Sequence, residues 1–532
     1  MRTRSVARLG LRRGLAAVLA ALLVTVTACS DPGGEAAPVA TGAGAAGALT
    51  VALPQEAASM DPLATNTYGA ADGNRLAAVY DMLVWSDPAT GTVTPQIAES
   101  LTPAEGGQVW TLRLRPGIRF TDGTPYDAEA VRFNWERHRD PTNRSLQLAA
   151  TADISALRVL DPLTLQVRLA RPNSNFDRSV ARHLGFIVSP AAIRKDPVGI
   201  GREPVGAGPY ILSEWTAGRQ VFVRNPNYWQ AADGLPRHET LTLVVDADPA
   251  HVTDEVAGGR LDASVLFRAD ARSHAAQGKL QVEQIRLDGG SMLIFNTAAA
   301  PFNDPETRKA AALALSSAQV DERFFGGEGL PARGVFSGSS PVANPQLAMT
   351  ENQPDQARAL FARATAGGTK PLRFVVVVPQ APLMVAIGEY IRDTLSAYPG
   401  VEMQVQIADA EDFITTVRKD DWGWSAALGQ QWFSDPEPGL YNFFHSTSKS
   451  NLSGYHNPTV DKALADARTA DAPAVRRDAY TRVQLEVNRD IPVWVFQESI
   501  AVAASAPDLG RVRLCNDGIV QWDRLGGQGR QN

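Results

Sequence analysis

Cysteine is scarce in this sequence of 532 residues, which contains only Cys29 and Cys515. Two cysteines cannot build a disulfide framework or a cysteine-rich zinc site. The seven histidines include no HxxxH or HExxH pair, so the usual zinc motifs of hydrolases are absent as well. A GxxxxGK phosphate loop and a GxSxG elbow are also missing. The sequence therefore gives no reason to expect a bound metal or another cofactor.

An excess of positive charge is also missing. The chain holds 51 Lys and Arg residues against 57 Asp and Glu residues, a formal net charge of -6. Five of the arginines lie in the first 28 residues, which contain no acidic residue, so cleavage after Ala28 would leave a net charge of -11. A chain this acidic is not attracted to phosphate backbones or to anionic lipid. We therefore expect no nucleic-acid partner.

The apolar run at 15–27 is only 13 residues long, whereas a transmembrane helix needs roughly 20. It follows a basic stretch, which is typical of a signal peptide over residues 1–28. The next residues, Val26-Thr27-Ala28-Cys29, resemble the bacterial lipobox, in which the cysteine is lipidated; an incidental cysteine behind an ordinary signal sequence is the alternative. A lipidated Cys29 cannot pair with Cys515, so no disulfide is expected.

Residues 29–47 consist almost entirely of Gly, Ala, Pro and small polar residues, which predicts a flexible tether. The tether would join the lipid to a folded part that starts near residue 48. We therefore expect an extracytoplasmic protein that is anchored through its N-terminal lipid to the outer face of the cytoplasmic membrane.

The folded part mixes strands and helices. Residues 48–53 predict a first strand, and the alternating segments 110–114 and 163–169 predict two strands with one buried face each, with a helix capped by Asp127 between them. The order strand 372–378, helix 382–397, strand 401–407 is a crossover that implies a parallel sheet. Further helices are predicted at 410–419, 458–469 and 472–488, and further strands within 424–429 and 491–496. The pattern indicates an α/β chain with more than one lobe.

Two weaker patterns could carry chemistry. Ser446-Thr447-Ser448-Lys449 fits the SxxK motif of penicillin-binding proteins, but no SDN or KTG partner accompanies it, which favours a surface loop over an exported serine enzyme. His445 and His456 lie 11 residues apart in a polar segment without a third ligand, so solvated loop histidines are favoured over a metal site. We therefore do not expect an enzyme.

Several motifs resemble the family 5 extracellular solute-binding proteins, the peptide/nickel type that serves ATP-binding-cassette (ABC) importers. The resemblance is carried by PQIAESLTPAEGGQVWTLRLRPGIRFTDGTPYDAEAVRF at 95–133, GAGPYILSEW at 206–215, RNPNYW at 224–229 and FNTAAAPFNDPETRKAAALAL at 295–315. These motifs occur in the family's order and, with the crossover and the closing helices, cover nearly all of residues 48–525. Each has a structural reason as well, so together they indicate the fold and not the ligand.

The resemblance implies an α/β, bilobal, periplasmic-binding-protein-like clam-shell (class II, large type) with an extra inserted subdomain. Lobe I would comprise residues 48–84, 201–290 and 493–532, the inserted subdomain 85–200, and lobe II 291–492. The chain would act as a monomeric receptor that closes on its ligand and delivers it to the ABC permease and its ATPase subunits. A sensory or scaffolding lipoprotein with a degenerate cleft is the alternative.

The resemblance also implies where the ligand binds. In peptide-binding members an aspartate three residues before a DP pair holds the peptide's amino terminus, and here Trp432 occupies that position. Trp432 offers an aromatic face for stacking instead. Asp435 is either an amine anchor or a helix N-cap, with the cap favoured.

The remaining candidates are Phe433, Tyr68 in a loop that faces the cleft in the family, and Asn296, for which a role in holding the backbone is favoured over one in binding. Trp422 and Trp424, two apart, would share a strand face, with core packing favoured. The expected ligand is an oligopeptide or a similar small polar solute; an oligosaccharide or a metal chelate is the alternative.

Overall fold

The computed structural model describes residues 47–88, 90–417, 423–433 and 436–526. The predicted signal peptide, Cys29 and most of the tether lie outside these ranges. The strands in the described part are β1 (Ala48–Leu53), β2 (Val84–Ser86), β3 (Val93–Pro95), β4 (Ala98–Ala104), β5 (Val109–Leu114), β6 (Ile154–Asp161), β7 (Thr164–Leu169), β8 (Tyr210–Thr216), β9 (Arg219–Arg224), β10 (Thr240–Val245), β11 (Ala263–Leu266), β12 (Gln281–Phe295), β13 (Leu372–Pro379), β14 (Val401–Ala408), β15 (Ala426–Trp432) and β16 (Val493–Ser505).

The α-helices in the described part are α1 (Gly73–Tyr80), α2 (Ala128–Arg139), α3 (Leu148–Thr151), α4 (Phe176–Ser179), α5 (Pro190–Lys195), α6 (Pro249–Ala257), α7 (Asp270–Gln277), α8 (Pro305–Ala314), α9 (Ser317–Phe325), α10 (Pro354–Ala364), α11 (Pro382–Ser396), α12 (Ala410–Val417), α13 (Pro436–Phe444), α14 (Pro458–Thr469) and α15 (Pro473–Asp490). A π-helical turn, Val180–Leu184, continues α4. Within the described ranges, the helices are too short or too polar to cross a bilayer.

Several helices begin with a capping side chain followed by proline. Asp248, Asp304 and Asn457 each accept hydrogen bonds from backbone N–H groups of the first turn, and proline is the next residue. The side chain satisfies N–H groups that have no partner in the helix, and the fixed φ of proline suits the first helical position. Asp127 caps α2 as predicted, by accepting a hydrogen bond from the backbone N–H of Ala130.

The predicted crossover is confirmed. β13 and β14 pair in parallel along their whole length, from Leu372 opposite Val401 to Pro379 opposite Ala408, and α11 lies between them in sequence. The two predicted alternating strands are also present, because β5 and β7 pair antiparallel. They belong to a four-stranded sheet in the order β4-β5-β7-β6.

The largest sheet has ten strands, in the order β14-β13-β15-β12-β16-β11-β1-β10-β9-β8. Its two longest strands, β12 and β16, lie next to each other and run antiparallel. β15 pairs with the second half of β12, whereas β11 pairs with the second half of β16. The two long strands therefore connect the β13–β15 side of the sheet with the β1–β11 side.

These long strands change register where they pass from one side to the other. The pairing shifts between Leu287 and Ser291, and the backbone φ is 90° at Gly289 and 138° at Gly290. A Cβ on Gly290 would lie 2.0 Å from the carbonyl oxygen of Gln497, and one on Gly289 would lie 2.1 Å from another backbone carbonyl oxygen. Both positions therefore require glycine, and they form a bulge in the connection.

Buried apolar side chains form three large clusters, with a smaller fourth one. Core A consists of residues between 292 and 496, and core C of residues between 83 and 207, around β5, β7 and α2. Core B combines segments from both ends of the chain with segments between 186 and 287. Each core buries at least one tryptophan completely: Trp494 in core A, Trp522 in core B and Trp135 in core C. Separately packed cores can move relative to one another.

Some predicted boundaries were wrong. The strand expected within 424–429 begins at Ala426 and extends to Trp432, because it continues to pair with β12. The strand expected at 491–496 is β16, which continues to Ser505 because it pairs with β12 and β11 over that length. Local sequence did not predict these extensions, since they depend on neighbours that are distant in the chain.

The strand position predicted for Trp424 was wrong, whereas the core packing favoured for it is confirmed. Trp424 precedes β15, and only 2% of its surface is exposed, so it is a core residue. Trp422 lies outside the described residues, as do residues 418–421 of the predicted helix 410–419, which is present as α12 up to Val417.

Two buried carboxyl groups lie together between cores B and C. Asp81 and Asp523 are 5% and 4% exposed. The Asp81 Oδ2 accepts hydrogen bonds from the Tyr228 hydroxyl (2.8 Å), Trp229 Nε1 (3.1 Å) and Gln96 Nε2 (3.3 Å). Burial, with repulsion from Asp523 as the next cause, raises the pKa of Asp81 to about 7; burial also raises the pKa of Asp523. The pair therefore keeps a proton in the folded state that the unfolded chain releases.

We expect this pair to make the stability depend on pH. The unfolded chain releases the proton near pH 4 and the folded protein near pH 7, so the free energy of unfolding should fall by about 2 to 4 kcal/mol between these values. Asp81→Asn keeps an oxygen acceptor but cannot ionise, so it should flatten this dependence. Urea denaturation at several pH values would measure the free energy of unfolding of the wild-type protein and of Asp81→Asn. Asp508→Asn, which changes an exposed carboxylate, is the control. The expectation would be contradicted if the free energy of unfolding of Asp81→Asn fell with pH as steeply as that of the wild-type protein.

Candidate ligand-binding site

A cavity of about 220 Å³ lies where elements of the three cores meet. The loop before α1 contributes from the core B side, and the segment before α3 and the π-helical turn contribute from the core C side. β15, α13 and the loop after α13 contribute from the core A side, although the Trp432 side chain at the end of β15 packs against core B. The residues that line the cavity are Asn66, Tyr68, Leu146, Gln147, Arg182, His183, Gln430, Gln431, Trp432, Phe433, Gly439, Asn442, Phe443, Ser450 and Leu452.

Two aromatic residues form one corner of this cavity. The rings of Tyr68 and Trp432 lie edge to face, with centroids 4.8 Å apart and an interplanar angle of 72°. Trp432 is fixed at both ends: its Nε1 donates a hydrogen bond to Ser499 Oγ on β16 (2.7 Å), and its carbonyl oxygen accepts one from Arg182 Nη2 (2.6 Å). Both side chains are only partly buried. The corner is therefore a rigid apolar surface that a ligand can contact.

Arg182 links three parts of the chain beside this corner. Its Nε lies 2.8 Å from Asp517 Oδ2 near the end of the chain, and its Nη2 bonds to Trp432 as described. Its own carbonyl oxygen accepts a hydrogen bond from the Thr67 hydroxyl at 2.9 Å. The side chain is 4% exposed. Arg182 is thus a buried cation whose position is set by contacts to several elements.

Two titratable neighbours of Arg182 that line the cavity, Tyr68 and His183, are neutral near pH 7. Burial raises the pKa of Tyr68 to about 12, against the opposing effect of the Arg182 charge. Burial and then the charges of Arg182 and His138 lower the pKa of His183 well below its usual value. His183 Nδ1 lies 2.9 Å from Gln147 Oε1, and Gln147 Nε2 donates to a backbone carbonyl oxygen. Among the described lining residues, Arg182 is therefore the one charged group.

The predicted site residues are only partly brought together. Tyr68 and Trp432 meet, and Phe433 lines the cavity from core A while remaining 1% exposed. Asn296 lies apart: it is fully buried, its Nδ2 donates to the Trp424 carbonyl oxygen (2.7 Å), and its Oδ1 accepts from a backbone N–H. It holds the backbone after β12. Asp435 and the lipidation candidate Cys29 lie outside the described residues.

The alternative SxxK motif is arranged as a loop between α13 and α14. The Ser446 hydroxyl donates to Asp461 on α14, and the Ser446 N–H donates to the same carboxylate at 2.8 Å. Lys449 is exposed. His445 stacks on Tyr441, with ring centroids 4.4 Å apart. In the described part of the chain, no three His, Cys, Asp or Glu side chains are grouped so that they could hold a metal ion.

The π-helical turn and the segment before α3 were not identified from the sequence. Arg182 and His183 come from the turn, and Gln147 from the segment. The one local signal was the basic Arg182-His183 pair inside an otherwise apolar stretch, 180–188, which is unusual for a buried segment. Their meeting with β15 depends on the packing of core C against core A.

Core C and core A also contact each other through polar groups beyond the cavity. Arg468 on α14 donates to Asp153 at 2.6 Å and to Glu437 at 2.7 Å, and its side chain is buried. Asn173 Nδ2 donates to Glu437 Oε1 at 3.1 Å, and Asn175 Nδ2 donates to the Arg468 carbonyl oxygen at 3.0 Å. These contacts hold the two cores together on one side of the cavity.

Comparisons with known proteins agree with this architecture. The chain matches the family described as "Bacterial extracellular solute-binding proteins, family 5 Middle" over residues 92–451. It is 28% identical over 416 residues to the glutathione-binding protein GsiB of Escherichia coli O6:K15:H31 (strain 536 / UPEC), covering 75% of this chain and 79% of that protein. With GsiB of Shigella flexneri serotype 5b (strain 8401) it shares 27% identity over 417 residues, with the same coverage.

Solved structures confirm the predicted bilobal α/β fold class. The oligopeptide-binding protein AppA from Bacillus subtilis, in complex with a nonapeptide, superimposes with a TM-score of 0.75 at 19% identity, over 90% of this chain and 99% of AppA. A dipeptide-binding protein from Pseudoalteromonas sp. SM9913, in complex with Met-Leu, gives 0.74 at 20% identity, over 90% and 100%. The chain therefore belongs to the family 5 bacterial extracellular solute-binding proteins, and it is a substrate-binding protein of an ABC importer.

Proposed function

We propose that this chain captures a short peptide or a similar small polar solute, of about the size of glutathione, and releases it to an ABC permease. The observation that carries the proposal is the cavity at the meeting point of cores A, B and C. A ligand in this cavity contacts elements of all three cores only when the cores are close together. Its binding energy therefore favours the closed form. A shift from 1:99 to 99:1 needs about 5.5 kcal/mol of differential affinity.

The size of the cavity favours a small ligand. Its volume of about 220 Å³ lies below the roughly 300–1,000 Å³ that is usual for pockets of drug-like ligands. This volume is too small to enclose a long peptide completely. The relatives named for glutathione and the structural neighbour with Met-Leu have ligands of two or three residues, whereas the structural neighbour AppA holds a nonapeptide. The size of the cavity favours the smaller of these ligand classes.

We propose that the moving parts are the predicted domains: lobe I (48–84, 201–290 and 493–532), the inserted subdomain (85–200) and lobe II (291–492). Cores B, C and A support this division, because each lies largely within one of these parts. The bulge at Gly289 and Gly290 lies at the proposed boundary between the lobes and is the proposed hinge.

The receptor is proposed to be monomeric and to bind without chemical conversion of its ligand. In support of this, the SxxK serine is bonded to Asp461 and the relatives are solute-binding proteins. A lipid on Cys29 is proposed to hold the protein at the outer face of the cytoplasmic membrane, on the strength of the lipobox resemblance. Anchoring raises the local concentration of receptor beside the importer.

The proposed function is tested by thermal unfolding of the purified full-length protein with a panel of ligands: glutathione, Met-Leu, other di- and tripeptides, maltotriose and a nickel–histidine chelate. A bound ligand at 100 times its Kd adds about 2.7 kcal/mol to the stability. We expect glutathione or a short peptide to raise the melting temperature and the sugar and the chelate to leave it unchanged. A rise with the sugar or the chelate alone would contradict the peptide class, and no rise with any member would contradict the receptor function.

A further inference from the structure

Four arginine side chains meet on one surface of the folded part. Arg237, Arg511, Arg513 and Arg524 line a second cavity, of about 180 Å³, and the other described residues that line it are one leucine and two glycines. All four arginines are exposed. This surface, the arginine patch, therefore concentrates positive charge on a chain whose formal net charge is -6.

Local structure turns these side chains outward and holds two of them in place. The side chains of segment 511–514 alternate between exposed arginines and apolar residues that are buried in core B. The Arg513 guanidinium lies over the Trp85 ring, 4.5 Å from its centroid, and Arg237 Nη1 donates a hydrogen bond to the Gly526 carbonyl oxygen. Guanidinium groups that are already positioned lose less conformational freedom when they bind an anion.

Neighbouring carboxylates balance this charge only weakly. Arg511 Nη1 lies 3.8 Å from Glu283 Oε2, and Arg524 Nε lies 3.5 Å from Asp523 Oδ2. Both distances exceed the roughly 2.7–2.9 Å of charge-assisted hydrogen bonds. An exposed ion pair of this kind contributes little, because water and salt screen it. An external anion would therefore still be attracted to the patch.

The patch lies close to the point where the chain enters the folded part. The Gly47 carbonyl oxygen accepts a hydrogen bond from the Thr240 N–H at 2.9 Å, three residues after Arg237. Gly526, which is bonded to Arg237, lies directly against the His238 ring in the same segment. Three residues span at most about 11 Å. The predicted tether therefore ends beside the arginine patch.

We infer that the arginine patch binds the phosphate groups of anionic lipid in the membrane that carries the protein; this inference rests on the lipid anchor of the proposed function. The 18 residues of 30–47 reach at most about 60 Å when fully extended. A lipid on Cys29 therefore keeps the patch near the headgroups. Each arginine close to an anionic lipid surface strengthens binding about fivefold.

The negative net charge of the whole chain does not oppose this contact strongly. Salt screens charges beyond about 8 Å at physiological ionic strength, so the membrane responds to the surface that faces it and much less to the rest of the protein. A tether limits only the distance between the membrane and the folded part. The patch would also set the orientation, by holding the proposed lobe I against the headgroups.

The tether itself offers a competing anion. It contains two acidic residues, Asp31 and Glu35, and no basic residue. Two carboxylates match fewer of the four arginines than a layer of headgroups does, and ordering the tether on the patch costs conformational entropy. Lipid is therefore the favoured occupant, and occupation by the tether is one outcome of the test.

The test measures how well each arginine is shielded. The full-length lipidated protein is reconstituted into vesicles of neutral phosphatidylcholine or of an equal mixture of phosphatidylcholine and phosphatidylglycerol. Mass spectrometry then follows the modification of single arginines by phenylglyoxal. We expect the four patch arginines to react about fivefold more slowly on the anionic vesicles, and high salt to remove the difference. Arg358, exposed on α10, should react equally on both.

Charge-reversal variants connect this shielding to the patch. In Arg511→Glu/Arg524→Glu, the slower reaction of Arg237 and Arg513 on anionic vesicles should be lost. The milder Arg511→Gln/Arg524→Gln is measured as well, in case the reversal impairs folding, and it should reduce the difference. Arg358→Glu/Arg363→Glu makes the same change in charge at two exposed positions of α10 and should keep the full shielding of the patch.

Equal reaction of the wild-type patch on both kinds of vesicle would overturn the lipid contact. So would shielding on neutral vesicles that Asp31→Asn/Glu35→Gln removes, which would assign the patch to the tether. Equally strong shielding by inorganic phosphate on neutral vesicles would assign it to a free anion and overturn the contact as well. Flotation separates this inference from its premise: failure to float with neutral vesicles would overturn the lipid anchor together with the inference, whereas flotation without shielding would overturn the inference alone.

Discussion

Gly290→Ala is expected to lower the free energy of unfolding by about 3 to 5 kcal/mol, or to prevent folding, because the added methyl group has no space. The Cβ would lie 2.0 Å from the Gln497 carbonyl oxygen and 3.3 Å from the Glu498 Cα, both backbone atoms of β16. The backbone φ of 138° adds strain for any residue with a side chain. The strands would have to separate where β12 and β16 join the two sides of the large sheet. Urea denaturation measures the loss.

Gly334→Ala is the matched control for this change. Gly334 precedes Val335, whose carbonyl oxygen accepts a hydrogen bond from Gly289, so it lies near the same bulge. A Cβ at this position would meet its nearest neighbour, Asn488 Oδ1, only at 3.6 Å, an ordinary contact distance. The control should lose less than about 1 kcal/mol. A similar, small loss in both variants would show that the bulge does not depend on glycine.

Trp432→Ala is expected to weaken binding of the ligand about 10- to 100-fold with a smaller effect on stability. The substitution removes the ring that lies edge to face with Tyr68 and its hydrogen bond to Ser499. Because the ring is only partly buried and lines the cavity, much of its apolar surface is available to the ligand. Aromatic anchors of this kind account for a large share of binding energy. Titration with the panel member that binds the wild-type protein measures the loss.

Trp424→Ala should show the opposite pattern. Trp424 is buried in core A and does not line the cavity, so removal of its ring should cost about 3 to 5 kcal/mol of stability and leave the affinity of the folded protein nearly unchanged. Trp424→Phe keeps most of the packing and serves as the variant that folds if alanine does not. Equal affinity losses at both tryptophans, or a larger loss at Trp424, would remove Trp432 from the binding site.

Sequence reasoning predicted some parts of this structure from local patterns alone. Local rules were sufficient for β1, for the Asp127 cap of α2 and for the crossover of β13, α11 and β14, because each depends on the periodicity, capping or turn residues of a short segment. The family motifs at 95–133 and 295–315 then indicated the fold. The resemblance also made Trp432 a candidate ligand contact, and Trp432 lies at the end of β15 and lines the cavity.

The sequence by itself therefore determined several of the elements, the family and the aromatic candidates Tyr68 and Trp432. Only the tertiary structure brought these two rings within 4.8 Å, set Arg182 between Asp517 and the Trp432 carbonyl oxygen, and made Asn296 a backbone contact. The physical reason is distance along the chain: Arg182 and Trp432 are 250 residues apart. Their contact depends on how three separately packed cores meet, and no local propensity describes that meeting.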